Sequence, residues 1–440
     1  MIADGSAKAE KSEKYLRGLS SPERQIRLES LEKLVAYEKD KGVFRVEKTR
    51  DVNSHIHTIY SFSPYSPSAA VYHSVKAGLA TTGIMDHDSV GGCLEFIEAG
   101  RICGMPVTVG AELRVSFAGT PLEGRKINNP DQETVAYAAF HGIPHSEIAS
   151  AAEFFIPVSE ARGKRNREMT DRINMIMSDT GIILDYDRDV LPMSMKHEGG
   201  SVTERHLLYA LSCKLLNAVP KGQPVLDLLM RVLGMKITGR ASEYLSDTKN
   251  PQYGYDLLNV LKSSMVEKFY IPATDECVPV LKAADFAARH GIVFAYAYLG
   301  DVTDSVTGDK KAQKFEDDYL DLLFDMIAQT GFNAVTYMPS RNTSEQLGRI
   351  RRLCDKYDLF QISGEDINQP RQKFVCEAMR SPEFSNLYDS AWALIGHEIQ
   401  AGSSLENSMF SSQTKAAMPE LSGRIISYRD KAMAAYGMKI

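Results

Sequence analysis

Apolar positions along this chain change their period several times, and each change predicts a different kind of element. Leu28, Leu31, Leu34 and Val35 recur at helical spacing behind Ser21 and Pro22. That predicts an N-terminal packing helix with Ser21 as its N-cap, Pro22 in its first turn and Gly42 as its stop. From Phe44 on, short strand-like runs take over. Residues 52–57, 81–85 and 106–110 read as strands. A helix opened by Ser66-Pro67 and closed by Gly78 separates the first two, and a helix through Leu94, Ile97 and Ala99 leads to the third. These are βα units with a repeat of about 25 to 30 residues, and right-handed crossovers make their sheet parallel.

Residues 134–140 read as a further strand that ends at His141, and there the rhythm breaks. From about 146 to 268 the pattern is mostly helical, for example over 170–179 and 202–216. The βα rhythm returns near Ile271. Helices over 283–290, 315–329 and 344–357 alternate with strands over 292–298, 333–337 and 360–363, with Gly291 and Gly331 as helix stops. The tail is helical again over 387–396 and 423–436. The chain therefore divides into an N-terminal helical extension (1–48), a first βα part (49–145), a helical insertion (146–268), a second βα part (269–380) and a C-terminal helical extension (381–440). The insertion is expected to cap the mouth of the βα layer. The basic run Arg162-Gly163-Lys164-Arg165-Asn166-Arg167 is expected on a solvated face, and Lys310-Lys311 at the surface.

Three islands carry candidate chemistry: Ser54-His55-Ile56-His57-Thr58, Met85-Asp86-His87-Asp88 and Gly110-Ala111-Glu112. Each follows a strand, and in parallel sheets chemistry collects at the carboxyl ends of strands. Side chains alternate along a strand, so His55 and His57 point the same way. Asp366, behind the last strand, adds a second carboxylate to Glu112. Imidazole and carboxylate donors together suit zinc, manganese or iron. The pattern predicts at least one divalent metal per chain, held by His55, His57, Glu112 and Asp366.

Composition narrows the setting. With 440 residues and a net charge of -6, the chain is an ordinary globular protein with no general excess of positive charge for nucleic acid. Six cysteines are scattered with no CxxC pair, which reads as reduced thiols. The first residues hold no apolar segment, and no stretch reaches the roughly 18 to 20 apolar residues of a membrane span. A cytoplasmic location is expected, with no membrane partner.

The spacing His55-x-His57, then Ala77-Gly78-Leu79 leading to Met85-Asp86-His87-Asp88, then Gly110-Ala111-Glu112, resembles the PHP (polymerase and histidinol phosphatase) family. Gly364-Glu365-Asp366-Ile367-Asn368 resembles its final motif. The resemblance implies a distorted (βα)7 TIM-like barrel holding up to three metal ions and hydrolysing phosphate esters. It implies a first metal site of His55, His57, Glu112 and Asp366, all present. A second site would share Glu112 and take two histidines, where this chain has Ala138 and Tyr296. A third would use His87 with a residue near Ser63 and a last histidine, where this chain has Asn368. His141 or His145 is the alternative source of a rebuilt second site. Arg205-His206 resembles an Arg/Thr-x-His element in insertions of some PHP phosphoesterases.

Three readings follow. In the first, the chain is a metal-dependent phosphoesterase acting on a small phosphorylated metabolite, a nucleotide or a short oligonucleotide through a metal-activated water. His87, Asp86 and Asp88 would assist that chemistry. Arg341, Arg205, His206 and Tyr296, with Tyr298 as a further donor, would bind substrate. In the second, a catalytically degenerate barrel serves as a ligand-binding or regulatory module, as Ala138, Tyr296 and Asn368 suggest. In the third, the barrel cleaves a C–N bond as amidohydrolase-like barrels do, which would want further histidines after the middle strands. His73, His197, His290 and His397 have no partner legible in the sequence.

Overall fold

The computed structural model of the chain describes residues 11–44, 49–301 and 314–438. Lys310-Lys311 and the opening residues lie outside that range. The first helix, α1 (Arg24–Asp40), buries Leu31, Leu34 and Val35. Its N-cap is Glu23 rather than Ser21, whose hydroxyl instead accepts from the Glu23 N–H at 3.2 Å. Then β1 (Val52–Ile56), α2 (Pro67–Lys76), β2 (Thr81–His87), α3 (Cys93–Cys103) and β3 (Val107–Ser116) alternate as the periodicity predicts. Ser66 caps α2 by accepting from the Ala69 N–H at 3.0 Å, with Pro67 in the first position.

β4 (Val135–His141) comes next, and the insertion contributes α4 (Ile148–Ile176), α5 (Glu204–Ala218) and α6 (Tyr253–Phe269). The second part runs β5 (Val278–Pro279), α7 (Val280–Arg289), β6 (Val293–Ala297), α8 (Leu320–Gln329), β7 (Ala334–Thr336), α9 (Ser344–Lys356) and β8 (Phe360–Ile362). α8 is shorter than expected, because residues 317–319 form a separate 3-10 turn. The tail holds α10 (Ser385–Ser403) and α11 (Leu421–Ala435).

The sheet runs in the order β1-β2-β3-β4-β6-β7-β8, with β5 beside β3. It differs from the expected parallel barrel in two ways. β4 pairs antiparallel with both β3 and β6. The cause lies in residues 117–134, which hold no helix, and a parallel return needs a long crossover. The curled sheet also does not close into a continuous ladder. β8 and β1 are joined only beyond β8, where Ile56 bridges Ile367, with His57 N–H to Ile367 O at 2.9 Å and Ile367 N–H to His55 O at 3.3 Å.

Paired residues on neighbouring strands share a face. The register therefore draws one row across the sheet: His87, Glu112, Ala139, Ala295, Ala334 and Phe360. Below that row, Ala139, Ala295, Ala334 and Phe360 pack with Ala393 and Leu394 of α10 and with Met409, which close the floor. Glu398 of α10 accepts from the Val109 N–H at 2.9 Å and from Thr108, fixing the tail to β3. The insertion has a core of its own, built from α4, α5 and α6, into which the first βα part sends Phe62. Among the described residues, no helix is long and apolar enough to cross a membrane.

α1 is held to α3 by a buried ion pair. Arg27 reaches Glu95 with its Nε at 2.9 Å and the carbonyls of Ser21 and Pro22 at 2.9 and 2.8 Å, and both side chains are fully enclosed. Removing one buried partner strands the other charge. Arg27→Ala is therefore expected to lower the urea unfolding free energy by about 3–5 kcal/mol, while Arg27→Met with Glu95→Leu recovers most of that loss. A loss below about 1 kcal/mol in the single variant, the level of an exposed pair, would contradict this reading of the contact.

Candidate metal centre

The centre lies where the two unpaired edges of the sheet meet. His55 is in β1 and His57 directly follows it. Gly364 packs so closely that a Cβ there would lie 2.6 Å from His55 N and Cβ. Only a glycine lets the chain behind β8 run against β1 and bring Asp366 in. Asn53 laces the same edge: its Oδ1 accepts from the His55 N–H at 2.9 Å, and its Nδ2 donates to the carbonyls of Glu365 and Phe374, each at 3.2 Å. From the other side, the register sets Glu112 of β3 beside His87 at the end of β2.

Glu112 Oε2 is the focus of these groups. His87 Nδ1 lies 3.0 Å from it, His55 Nε2 3.8 Å and His57 Nε2 3.9 Å. Asp366 Oδ1 stands 3.1 Å from the same His57 nitrogen. Among the described residues, His55, His57 and Glu112 are the one trio of such side chains whose donor atoms all fall within 4.8 Å of one another. Burial alone would raise the Glu112 carboxyl, but the imidazoles of His87, His55 and His57 outweigh it and hold it down at about 2. Asp366 is likewise held well below the usual range: His57, His55 and the Arg205 guanidinium overcome its desolvation. Burial lowers His55, whereas His57 is raised because Asp366 and Glu112 overcome the same burial.

His141 completes the picture. It lies on β4 two residues beyond Ala139, hence on the same face, one layer below Glu112. It is buried, and among the described residues neither ring nitrogen has a hydrogen-bond partner. Desolvation, with His55 nearby, pushes it down to about 3, so the ring is neutral. An enclosed imidazole with no partner is costly unless something takes its lone pair. Two histidines and a carboxylate in contact, with Asp366 beside them and this orphaned ring below, fit a divalent cation of the zinc, manganese or iron kind.

The other candidate residues divide. His87 stands in the centre. Asp86 points to the opposite face, buried, and accepts from the Thr58 N–H at 2.7 Å, Thr58 Oγ1 at 2.6 Å and Ser61 Oγ at 2.6 Å. Ser61 in turn meets His57 Nδ1 at 3.3 Å. Asp86 is thus a bracket that orients His57, as outer partners of metal ligands do. Asp88 is buried against Arg162. Asn368 donates to Asp366 Oδ1 at 2.7 Å and so steadies that carboxylate. Ser63 is buried, and its hydroxyl accepts from the Tyr65 N–H at 3.3 Å.

Arg205 comes close enough to Asp366 to stabilise its charge. His206 is buried edge-on to Phe62, at 5.1 Å between ring centres, and its Nδ1 accepts from the Thr203 N–H. Tyr296 does not join the centre. It is fully buried on the outer face, since its neighbour Ala295 belongs to the inner row, and its hydroxyl donates to Glu316 at 3.1 Å. Tyr298 donates to Asp317 at 2.6 Å, and Arg341 Nε donates to the Leu299 carbonyl at 3.2 Å. Ala138 also faces outward, and the inner position level with Glu112 is Ala139. His145 sits at the floor, 3.1 Å from Glu398. His290 pairs with Glu147 at 2.6 Å, and His397 Nδ1 accepts from the Met409 N–H at 3.0 Å.

One group of residues escaped the sequence reading. Arg162 and Arg165 are buried, not on a solvated face, while Lys164 and Arg167 of that run are exposed, Arg167 paired with Asp187. The signal was present: 162 and 165 continue the helical stripe of Phe155, Val158, Met169 and Ile173, all of them buried.

No family model matches the chain, and no curated protein matches it. Several solved structures resemble it, two of them as follows. One is a candidate metal-dependent phosphoesterase from Bifidobacterium adolescentis, 19% identical, with a TM-score of 0.49, covering 75% of this chain and 94% of that one. The other is an amidohydrolase from Chromobacterium violaceum with sulfate bound and no metal, 16% identical, with a TM-score of 0.48, covering 74% of this chain and 90% of that one. Both likenesses are too distant to carry an argument about chemistry, which rests on the side chains.

The Tyr296 corner yields a pH prediction. Glu316 is fully buried, and although the Leu299 and Gly300 N–H groups favour its anion, desolvation raises it to about 7. A carboxyl raised on folding binds more protons in the native state between about 4.5 and 7, so it costs stability as pH rises through that window and stays unfavourable above it. Measured by urea unfolding, Glu316→Gln is expected to gain on the wild type by on the order of 1–3 kcal/mol between pH 5 and pH 8. Parallel pH profiles for the two proteins would contradict the assignment.

Proposed function

We propose that this chain is a metal-dependent hydrolase of phosphate esters. The observation that carries the reading is the convergence of His55, His57 and His87 on one Glu112 oxygen, with Asp366 against His57 and the unbonded His141 beneath. His55, His57, Glu112 and Asp366 would hold the first ion, and His141 is the nitrogen available for a second ion sharing Glu112. A bound divalent cation supplies Lewis acidity: it polarises a phosphoryl oxygen and makes a water molecule acidic enough to attack at neutral pH.

The chain's own groups do the rest. Asp86, through Ser61, orients His57, and Asn368 orients Asp366. His87, partly open to solvent, is the group placed to exchange a proton with water or a leaving group. Arg205, beside Asp366, offers the guanidinium that a phosphate would meet. The substrate class this favours is a small phosphorylated metabolite, a nucleotide or a short oligonucleotide. Cleavage of a C–N bond is less well supported, because the inner row reads Ala295 and Ala334 where β6 and β7 would have to bring further histidines. That same alanine row is what favours the second reading, a barrel that binds a ligand without turning it over.

The test is hydrolysis of bis(4-nitrophenyl) phosphate and 4-nitrophenyl phosphate by protein supplemented with Mn, Zn or Fe. Activity should require one of these metals and fall more than about 100-fold in His55→Ala, beyond the 10–100-fold typical of an outer partner. Hydrolysis that survives chelation and is equal in the variant would defeat the proposal.

A further inference from the structure

The insertion meets the barrel through an enclosed set of charges. Arg162 and Arg165 come from α4 and Glu204 from the start of α5. Asp88 directly follows β2, Arg114 lies in β3, and Glu276 in the segment before β5. Arg114 Nη2 reaches Glu204 at 3.1 Å, and its Nη1 reaches Glu276. Arg165 reaches Glu204 and Glu276, each at 2.7 Å. Arg162 pairs with Asp88, with Glu276 at 3.5 Å and Glu204 at 3.7 Å. Three guanidinium groups thus balance three carboxylates, and all but Glu204 are less than a tenth exposed. The set is charge-balanced, which leaves no net positive charge for an anion, although Arg114 Nε, Arg162 Nε and Asp88 Oδ1 have no hydrogen-bond partner among the described residues.

Its contact with the centre is Asp88, the residue after His87. Asp88 holds a left-handed backbone at φ 47, which a residue with a side chain rarely adopts. Two contacts hold it there: its N–H donates to the Glu112 carbonyl at 2.7 Å, and its carboxylate takes Arg162. The turn directly follows His87, which the β2–β3 register sets beside Glu112. The His87 side chain is 29% exposed where that of His57 is 2%, so it is the less enclosed of the two rings, and its Nδ1 sits 3.0 Å from Glu112.

We propose that Arg162, supplied by the insertion, is a positioning residue for His87: it clamps the strained Asp88 turn and so keeps the His87 ring on Glu112. The assignment of a task to His87 rests on the phosphoesterase reading; the clamp itself does not. Without the guanidinium, the Asp88 carboxylate faces Glu276 and Glu204 with one fewer cation among them. The turn relaxes, and the ring leaves Glu112.

Two measurements test it in full-length protein. The first needs no activity. Metal-free wild type and Arg162→Gln are treated with diethyl pyrocarbonate, and carbethoxylation of each histidine is followed by peptide mass spectrometry. The His87 rate should rise several-fold in the variant, His55 and His57 should keep their wild-type rates, and Arg162→Lys should restore most of the protection. An unchanged His87 rate, or an equal rise at His55 and His57 that marks general loosening, would overturn the proposal. The second uses bis(4-nitrophenyl) phosphate with Mn. Arg162→Gln should lower kcat about 10–100-fold with KM within about twofold, the size of effect expected of an outer partner. It should add no further loss in a His87→Ala background, and a further loss there would mean that Arg162 does not act through His87. If the wild type hydrolyses no ester, the phosphoesterase reading fails, and the carbethoxylation result still decides the clamp.

Discussion

A single carboxylate oxygen, on Glu112, faces three imidazoles within 4 Å inside a largely enclosed pocket, and the rest of the structure serves that arrangement. Burying one carboxylate and three imidazoles costs desolvation free energy that only mutual contacts, hydrogen bonds or a cation offset. The contacts are made from several directions. β2 and β3 set His87 and Glu112 in register, the β1 edge provides His55 and His57, and the close approach at Gly364 delivers Asp366. Asn53, Asp86 with Ser61, and Asn368 then fix the orientation of those side chains. His141 has no such support. Its two nitrogens are among the buried polar atoms with no partner among the described residues, and they lie one layer below Glu112, where a cation would take them.

The antiparallel β4 matters here. Reversing that strand turns His141, which ends the strand in sequence, toward the floor of the sheet and one layer below Glu112. A parallel β4 would have carried it to the rim. The same register puts Ala139, Ala295 and Ala334 in the row of Glu112, so β4, β6 and β7 bring no donor at that level and their small side chains pack tightly above the floor. The centre is therefore built on one side of the barrel, on β1 to β3 and the chain behind β8. The insertion faces it from above through Arg162, Arg165 and Glu204.

Much of this was legible in the chain, because the relevant signals are local. The alternation of His55 and His57, the βα rhythm around residues 52–112 and the carboxyl-end position of Glu112 follow from period and spacing alone. The helices between β4 and β5 pack a hydrophobic cluster of their own. What was not legible depends on pairing between distant segments. The direction of β4 is set by a helix-free link, which sequence periodicity passes over in silence. Which of Ala138 and Ala139 faces inward depends on a register with β3 that no local pattern records. Tyr296 reads like a ligand position by alignment of motifs, yet its hydroxyl belongs to Glu316 on the other face. Arg162 and Arg165 look solvated by charge, and only their place in the apolar stripe of α4 shows that they are buried.

Whether this pocket takes a metal is the point on which everything else turns, and elemental analysis answers it directly. The protein is dialysed against Mn, Zn or Fe, freed of loose ions, and its metal content per chain is measured beside that of Glu112→Gln, which keeps the shape and removes the charge. The arrangement of His55, His57, Glu112 and Asp366 predicts at least one tightly held ion per chain in the wild type and its loss in the variant. No metal in the supplemented wild type, or the same content in both proteins, would contradict it.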